Sequence, residues 1–241
     1  MDTINTLLNE LSQQPEMAAV LSQLAERPAV RELLDQFLVV HGNLSDVMPD
    51  LLRTYDVLAR RFAARSTLFL CGNGGSFADA LHISGELLKS FERRRGLSAE
   101  HKEAFQQWPE GRELADHLEQ GFPVRVLGLD GSLASAVQND NPMRDIHYAQ
   151  ELYACARPGD VLMGISTSGN ATNVCYAIVT AKALGLQTIG LTGQDGGRLS
   201  SLVDIAIRAP GNTTKSIQES HLAIYHTLCA MVEAHFFARS Q

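Results

Sequence analysis

His82 and Glu86 stand four residues apart. On a helix that spacing puts both side chains on one face, about 40° apart around the axis. An imidazole and a carboxylate are the usual pair for moving a proton between carbon and oxygen. Further on, Gln218, His221 and His226 fall in a single helical stretch. Gln218 and His226 are separated by two turns and about 80° around the axis. His82, Glu86 and His226 also make a donor set for a divalent metal, with the Gln218 oxygen completing it. Imidazole and carboxylate suit zinc, whereas a Gln carbonyl is a less usual zinc ligand. A lone helical histidine is ordinarily a core or surface residue, so the weight of each group lies in its companions.

A second chemistry sits in three glycine-rich turns: Gly72-Asn-Gly-Gly-Ser76, Ser166-Thr-Ser-Gly-Asn170 and Thr192-Gly-Gln-Asp-Gly-Gly197. Glycines let backbone N–H groups approach an anion, and a following helix N-terminus adds its dipole. Serine and threonine hydroxyls donate to phosphate oxygens. The first two turns contain no Lys or Arg, so neutral donors would grip the phosphate, which suits a small phosphorylated metabolite. There is no G-x-x-x-x-G-K-[ST] run, and the first turn is not G-x-G-x-x-G, which argues against a nucleotide cofactor. The third turn reads mainly as structural.

These groups need a scaffold at strand ends. Short apolar runs at 67–71, 124–128, 160–166, 187–191 and 204–208 read as strands. Helices are expected at about 76–91, 172–184 and 213–237. Strands spaced by helices predict an α/β, doubly wound, mostly parallel five-stranded sheet. In such sheets ligands bind at the carboxyl ends of the strands, where the polar turns fall. Residues 1–65 form a helical extension with apolar faces at Leu7, Leu8 and Leu11, at Leu33, Leu34, Phe37 and Leu38, and at Leu51, Leu52, Val57 and Leu58. Its partner is either a neighbouring subunit or its own domain. The domain proper is 66–241. Residues 92–121, polar and holding the only tryptophan, Trp108, read as an insertion: a lid, an interface or a surface excursion.

Composition narrows the class. The chain has 241 residues, 45% apolar and 20% charged, enough for a buried core. Its net charge of −7 argues against a general nucleic-acid binder. Arg93, Arg94 and Arg95 are expected in a solvated loop. Cys71, Cys155, Cys175 and Cys229 show no metal or redox spacing and read as reduced, mostly buried thiols of a cytoplasmic protein; Cys71, beside a glycine turn, is the one with a route to accessibility. Asp2 and Glu10 interrupt any signal-like apolar run. No stretch approaches the roughly 20 apolar residues of a membrane span.

The segments CGNGGSFADALHISGELL, VQND, PGDVLMGISTSGN, IGLTGQDGGRL and IQESHLAIYH resemble, in order, the motifs of the phosphoheptose isomerases, a branch of the sugar isomerase (SIS) fold. The resemblance covers about 66–91 and 122–237. It implies that Asn73, Gly74, Gly75, Ser76, Glu86, Asn139, Asp140 and Gln218 contact substrate and that Ser166, Thr167 and Ser168 hold its phosphate. It implies Glu86 and His226 as the catalytic pair, with His82, Glu86, Gln218 and His226 the zinc ligands of some members. The family reaction converts sedoheptulose 7-phosphate to D-glycero-D-manno-heptose 7-phosphate, in homotetramers with sites shared between subunits; a homodimer is the other assembly considered.

Three features depart from the family pattern. Ala171 replaces the last hydroxyl of the usual STSGNS, the segment between Glu86 and Asn139 is longer, and so is the N-terminal region. Two other readings stay beside the first. One is a non-catalytic SIS phosphosugar-binding or regulatory protein of the replication-initiator-associating type. Such relatives lack the glutamate of H-x-x-x-E, whereas Glu86 is present here. The other is an SIS isomerase or lyase for a different sugar phosphate.

Overall fold

The computed structural model describes residues 11–13 and 15–238. The expected apolar positions Leu7 and Leu8 lie outside them. Five strands form an all-parallel sheet in the order β2-β1-β3-β4-β5: β1 (Leu68–Gly72), β2 (Val124–Val126), β3 (Val161–Ser166), β4 (Gln187–Gly193) and β5 (Ile205–Ala209). The helices are α1 (Pro15–Ala25), α2 (Pro28–Val40), α3 (Met48–Ala63), α4 (Gly75–Leu88), α5 (Ala99–Phe105) and α6 (Gly111–His117). After β2 come α7 (Gly131–Asp140), α8 (His147–Cys155), α9 (Thr172–Ala183), α10 (Gly197–Leu202) and α11 (Thr214–Phe237). The expected strands and the three expected helices are all present, with boundaries shifted by at most a few residues. The sequence reading passed over α7 and α8.

Parallel strands covered on both faces must be apolar throughout, and β1 and β3 are buried at every residue. The edge strands instead turn Arg125 and Arg208 to solvent. Side chains alternate across the sheet. Leu68 and Leu70 of β1 face a core shared with Ile83 and Leu87 of α4, Leu228 and Val232 of α11, and the N-terminal helices. Phe69 and Cys71 face the opposite core, with Leu152 of α8 and Ile178 of α9. Val30, Leu34, Phe37, Leu51, Leu52 and Leu58 all belong to the first core, so the N-terminal helices pack on their own chain. Cys71 is fully buried, and burial pushes its thiol well above the ordinary range. That corrects the expectation of accessibility: alternation points it into the sheet–helix layer.

Residues 92–121 hold α5 and α6, joined at the base by an antiparallel bridge between Gly96 and Glu119. Their root is not solvated. Arg95, expected in an exposed basic loop, has no accessible surface, and neither does Glu233 of α11. Arg95 Nε donates to Glu233 Oε1 at 2.7 Å, while its two terminal nitrogens donate to the carbonyls of Leu87 at 2.8 Å and Glu86 at 2.9 Å. The Glu233 carboxylate also accepts the N–H groups of Phe91, Glu92 and Arg93, each at 2.8 Å. The rings of Phe122 and Phe237 lie 5.0 and 5.5 Å from the guanidinium carbon.

Removing one partner of a buried pair strands the other charge, at about 3–5 kcal/mol. Glu233→Gln is therefore expected to lower the free energy of unfolding by an amount in that range, seen as a lower urea midpoint at unchanged slope. The double variant Arg95→Met/Glu233→Leu should lose less than either single change. An unshifted midpoint in Glu233→Gln would contradict the role given to the pair.

Candidate active site

The chain leaves β1 toward β2 at one edge and returns to β3 on the other side of β1. A crevice opens at the carboxyl ends of strands where order reverses in this way. Gly72 pairs with Ile165 across β1 and β3, so the turns beginning at Asn73 and Ser166 emerge side by side. Each opens a helix with no side-chain cap: Gly74 precedes α4 and Ala171 precedes α9. Ser76 and Phe77 N–H turn back to the carbonyls of Asn73 and Gly74, and Val174 N–H to Asn173 Oδ1; the N–H groups of Gly75, Thr172 and Asn173 are left for a ligand, and both dipoles favour an anion between them.

The first turn is held from the side. Asn73 and Asn173 exchange two amide hydrogen bonds of 2.8 Å, joining the start of α4 to the start of α9. The Tyr148 hydroxyl donates to the Gly72 carbonyl, with Asn73 Oδ1 3.4 Å away. Burial pushes the Tyr148 phenol up to about 12, which keeps it a neutral donor. Asn173 and Tyr148 are site-building residues that the sequence reading missed. Asn173 lies just past a recognised turn, a signal of sorts; Tyr148 sits in a helix with no legible pattern.

The second turn rests on the third. A Cβ on Gly169 would meet the Gly196 carbonyl at 2.0 Å, and Gly169 has φ of 64°. Leu199 N donates to the Gly169 carbonyl at 2.8 Å and Arg198 N to Asn170 Oδ1 at 3.0 Å. The third turn is thus a platform that sets the height of Ser166, Thr167 and Ser168, in keeping with its structural reading. Ser166 is buried, Thr167 half-buried and Ser168 exposed.

α4 and α11 run side by side in the same direction, and their contact assembles the acid–base groups. His82 Nε2 lies 3.0 Å from Glu86 Oε1, as the four-residue spacing predicts. His226 Nε2 comes from α11 to 3.4 Å from His82 Nε2. One ligand atom from each of His82, Glu86 and His226 lies within 4.8 Å of the others, a geometry that fits one divalent cation. Burial first, then the neighbouring His82, lowers the pKa of His226, with Glu86 opposing.

Other expected residues fall elsewhere. The Gln218 amide lies over Gly75, where an added Cβ would meet its Nε2 at 2.2 Å. That contact places Gln218 beside the first turn; along α11 it stands two turns, about 12 Å of rise, from His226. Asn139 and Asp140 close α7, both exposed, with Asn139 Nδ2 donating to Asp140 Oδ1 at 2.7 Å.

His221 is fully buried; its Nε2–H donates to the Thr192 carbonyl at 3.1 Å, at the end of β4. Burial pushes its pKa from 6.5 down to about 4. Folding therefore excludes a proton that the unfolded chain binds below pH 6.5. The stability tied to neutral His221 is complete above that pH and is lost as pH falls toward 4, by up to about 1.4 kcal/mol per pH unit. His221→Gln should unfold with a flatter pH dependence than the native chain between pH 6.5 and 4.5. Parallel midpoint-versus-pH curves would contradict this.

A family model described as the SIS domain matches residues 114–193. A phosphoheptose isomerase from Crocosphaera subtropica is 38% identical over 78% of this chain and 83% of its own length. One from Geotalea daltonii is 35% identical over 80% and 87%. The solved structure of a phosphoheptose isomerase from Neisseria gonorrhoeae superposes with a TM-score of 0.61 at 25% identity, covering 90% of this chain and 98% of that one. Identity at this level over most of both chains, on a matching sheet, means that the protein belongs to the phosphoheptose isomerase family of SIS-domain proteins.

Proposed function

We propose that this protein is an aldose–ketose isomerase interconverting sedoheptulose 7-phosphate and D-glycero-D-manno-heptose 7-phosphate through an enediol, with Glu86 and His226 as its acid–base pair. The observation that carries the assignment is the meeting of Glu86 and His226, from helices far apart in sequence, within one 4.8 Å cluster. Glu86 takes the proton from C1 of the ketose while His226 gives one to O2. Glu86 then returns its proton to C2 as His226 removes one from O1. The lowered pKa of His226 suits this, since a neutral imidazole both donates and accepts.

Ser166, Thr167 and Ser168, with the open N–H groups of α4 and α9, bind the phosphate. Asn73, Gly74, Gly75, Ser76, Gln218, Asn139 and Asp140 are assigned to the rest of the sugar. Two imidazoles and a carboxylate are also a catalytic zinc set, and zinc held by His82, Glu86 and His226 would supply polarisation of the carbonyl and stabilisation of negative charge at oxygen.

We assign a homotetramer, or a homodimer, in which a second copy completes the site. Along α4, Gly75 and Glu86 are separated by about 16 Å of rise, a long reach for one sugar phosphate. The unpaired edge of β2 is flanked by exposed Leu81, Leu88 and Leu129, around a groove of about 600 Å³ that a second copy would cover. A cytoplasmic location agrees with the four free cysteines. Among the described residues no helix is long and apolar enough to cross a membrane.

General acid–base groups contribute about 10²–10⁴-fold. Glu86→Gln should cost at least that in turnover of sedoheptulose 7-phosphate, with the unfolding midpoint retained. Near-native turnover would remove Glu86 from the mechanism. Binding of the sugar phosphate without turnover by the native protein would favour a regulatory SIS protein.

A further inference from the structure

Behind the His82–Glu86–His226 cluster lies a second tier that the mechanism does not use. The hydroxyl of Tyr225, on α11 and buried, is 2.9 Å from His82 Nδ1 and 3.4 Å from Asp79 Oδ1. A phenol has one proton to give, and a carboxylate can only accept. If that proton went to His82, Asp79 would lose its hydrogen bond, although its other oxygen is already buried without a partner. Without a cation, His82 Nε2–H can donate to Glu86 Oε1 at 3.0 Å and Nδ1 can accept from Tyr225. Once a cation takes the Nε2 lone pair, the proton stays on Nδ1 and the chain runs one way: His82 Nδ1–H donates to Tyr225, and Tyr225 donates to Asp79.

With Nδ1 protonated, Nε2 of His82 carries its lone pair toward Glu86 Oε1 and His226 Nε2. We infer that Asp79 and Tyr225 are positioning residues that hold His82 in the Nδ1–H form and so set the cluster's affinity for a divalent cation. The inference rests on the metal reading above. Partners of this kind fix the ring, raise the basicity of the ligating nitrogen, and typically cost 10–100-fold in metal affinity when removed.

The test is zinc affinity of the metal-free protein, measured by competition with a chromophoric chelator. Tyr225→Phe keeps the ring that meets His82 and His226 edge-on, with centroids 5.5 and 5.0 Å away. It should bind zinc about 10–100-fold more weakly and alter the visible spectrum of the cobalt-loaded protein, with the metal-free unfolding midpoint unchanged. Asp79→Asn should shift affinity in the same direction, and the double variant should be no weaker than the weaker single one, because the two act in series. Native-like affinity in Tyr225→Phe, or additive losses in the double variant, would overturn the inference and leave the metal reading standing. A native protein that does not bind zinc would remove both.

Discussion

The pairing of Arg95 with Glu233 holds α4 and α11 in register. Burying two charges costs several kcal/mol per ion, and the loss is recovered only when both are fully hydrogen-bonded. Here they are. Glu233 takes three backbone N–H groups and the guanidinium, and both terminal nitrogens of Arg95 donate to the carbonyls of Glu86 and Leu87. Those carbonyls belong to the last turn of α4, where helix oxygens have no partner of their own and a cation is favoured by the dipole. One ion pair therefore caps α4 at Glu86 itself and ties it to α11 two turns beyond His226. The relative height of Glu86 and His226 follows from it, and so does the path of the chain into residues 92–121. That segment is rooted in a fully buried ion pair.

At the other end of α4 the logic is reversed. Around the crevice between β1 and β3 the protein leaves backbone donors open where it could have capped them. Gly74 and Ala171 both stand at N-cap positions without a capping side chain, and Asn73 spends its amide on Asn173 to keep the two helix starts together. Neutral donors and two dipoles can bind a phosphate without a lysine or arginine in the turns, in a chain whose net charge is −7. Ala171 fits the same picture: the hydroxyl usual there is gone, and the N–H groups of Thr172 and Asn173 stay free, while Val174 N–H goes to Asn173 Oδ1. Serine at 171 would offer the helix a cap of its own, in competition with the ligand.

How far the sequence could be read followed from which forces were local. The five strands, the three turns and the 82/86 pairing depend on periodicity and spacing, and the structure agrees with each. α7 buries only Val137, so it offered no apolar period to detect. The Arg93–Arg95 run looked like a solvated surface because its counter-charge, Glu233, lies 138 residues away. Cys71 looked reachable because it adjoins a glycine turn, while strand alternation had already pointed it inward. Gln218 and His226 share a helix face by angle, yet about 12 Å of rise separates them along α11, Gln218 beside the first turn and His226 midway along the α4–α11 contact. Angle was legible in one dimension; the alignment of two helices was not.

That alignment also explains why the acid–base cluster sits on helices and not on the turns. Turns suit an anion because backbone N–H groups there are free to converge. A proton-transfer pair needs something else: side chains held to a fraction of an ångström by packed neighbours. Ile83 and Leu87 flank the His82–Glu86 face on α4, and Ile224 and Leu228 flank His226 on α11, all buried in the same core. The reacting groups thus stand on the polar side of a helix pair whose apolar side is locked against the sheet. In the proposed site the phosphate end rests on free backbone donors and the carbon end on rigid packing. α4 joins the two, opening at the anion turn and closing at Glu86 under the Arg95 clamp.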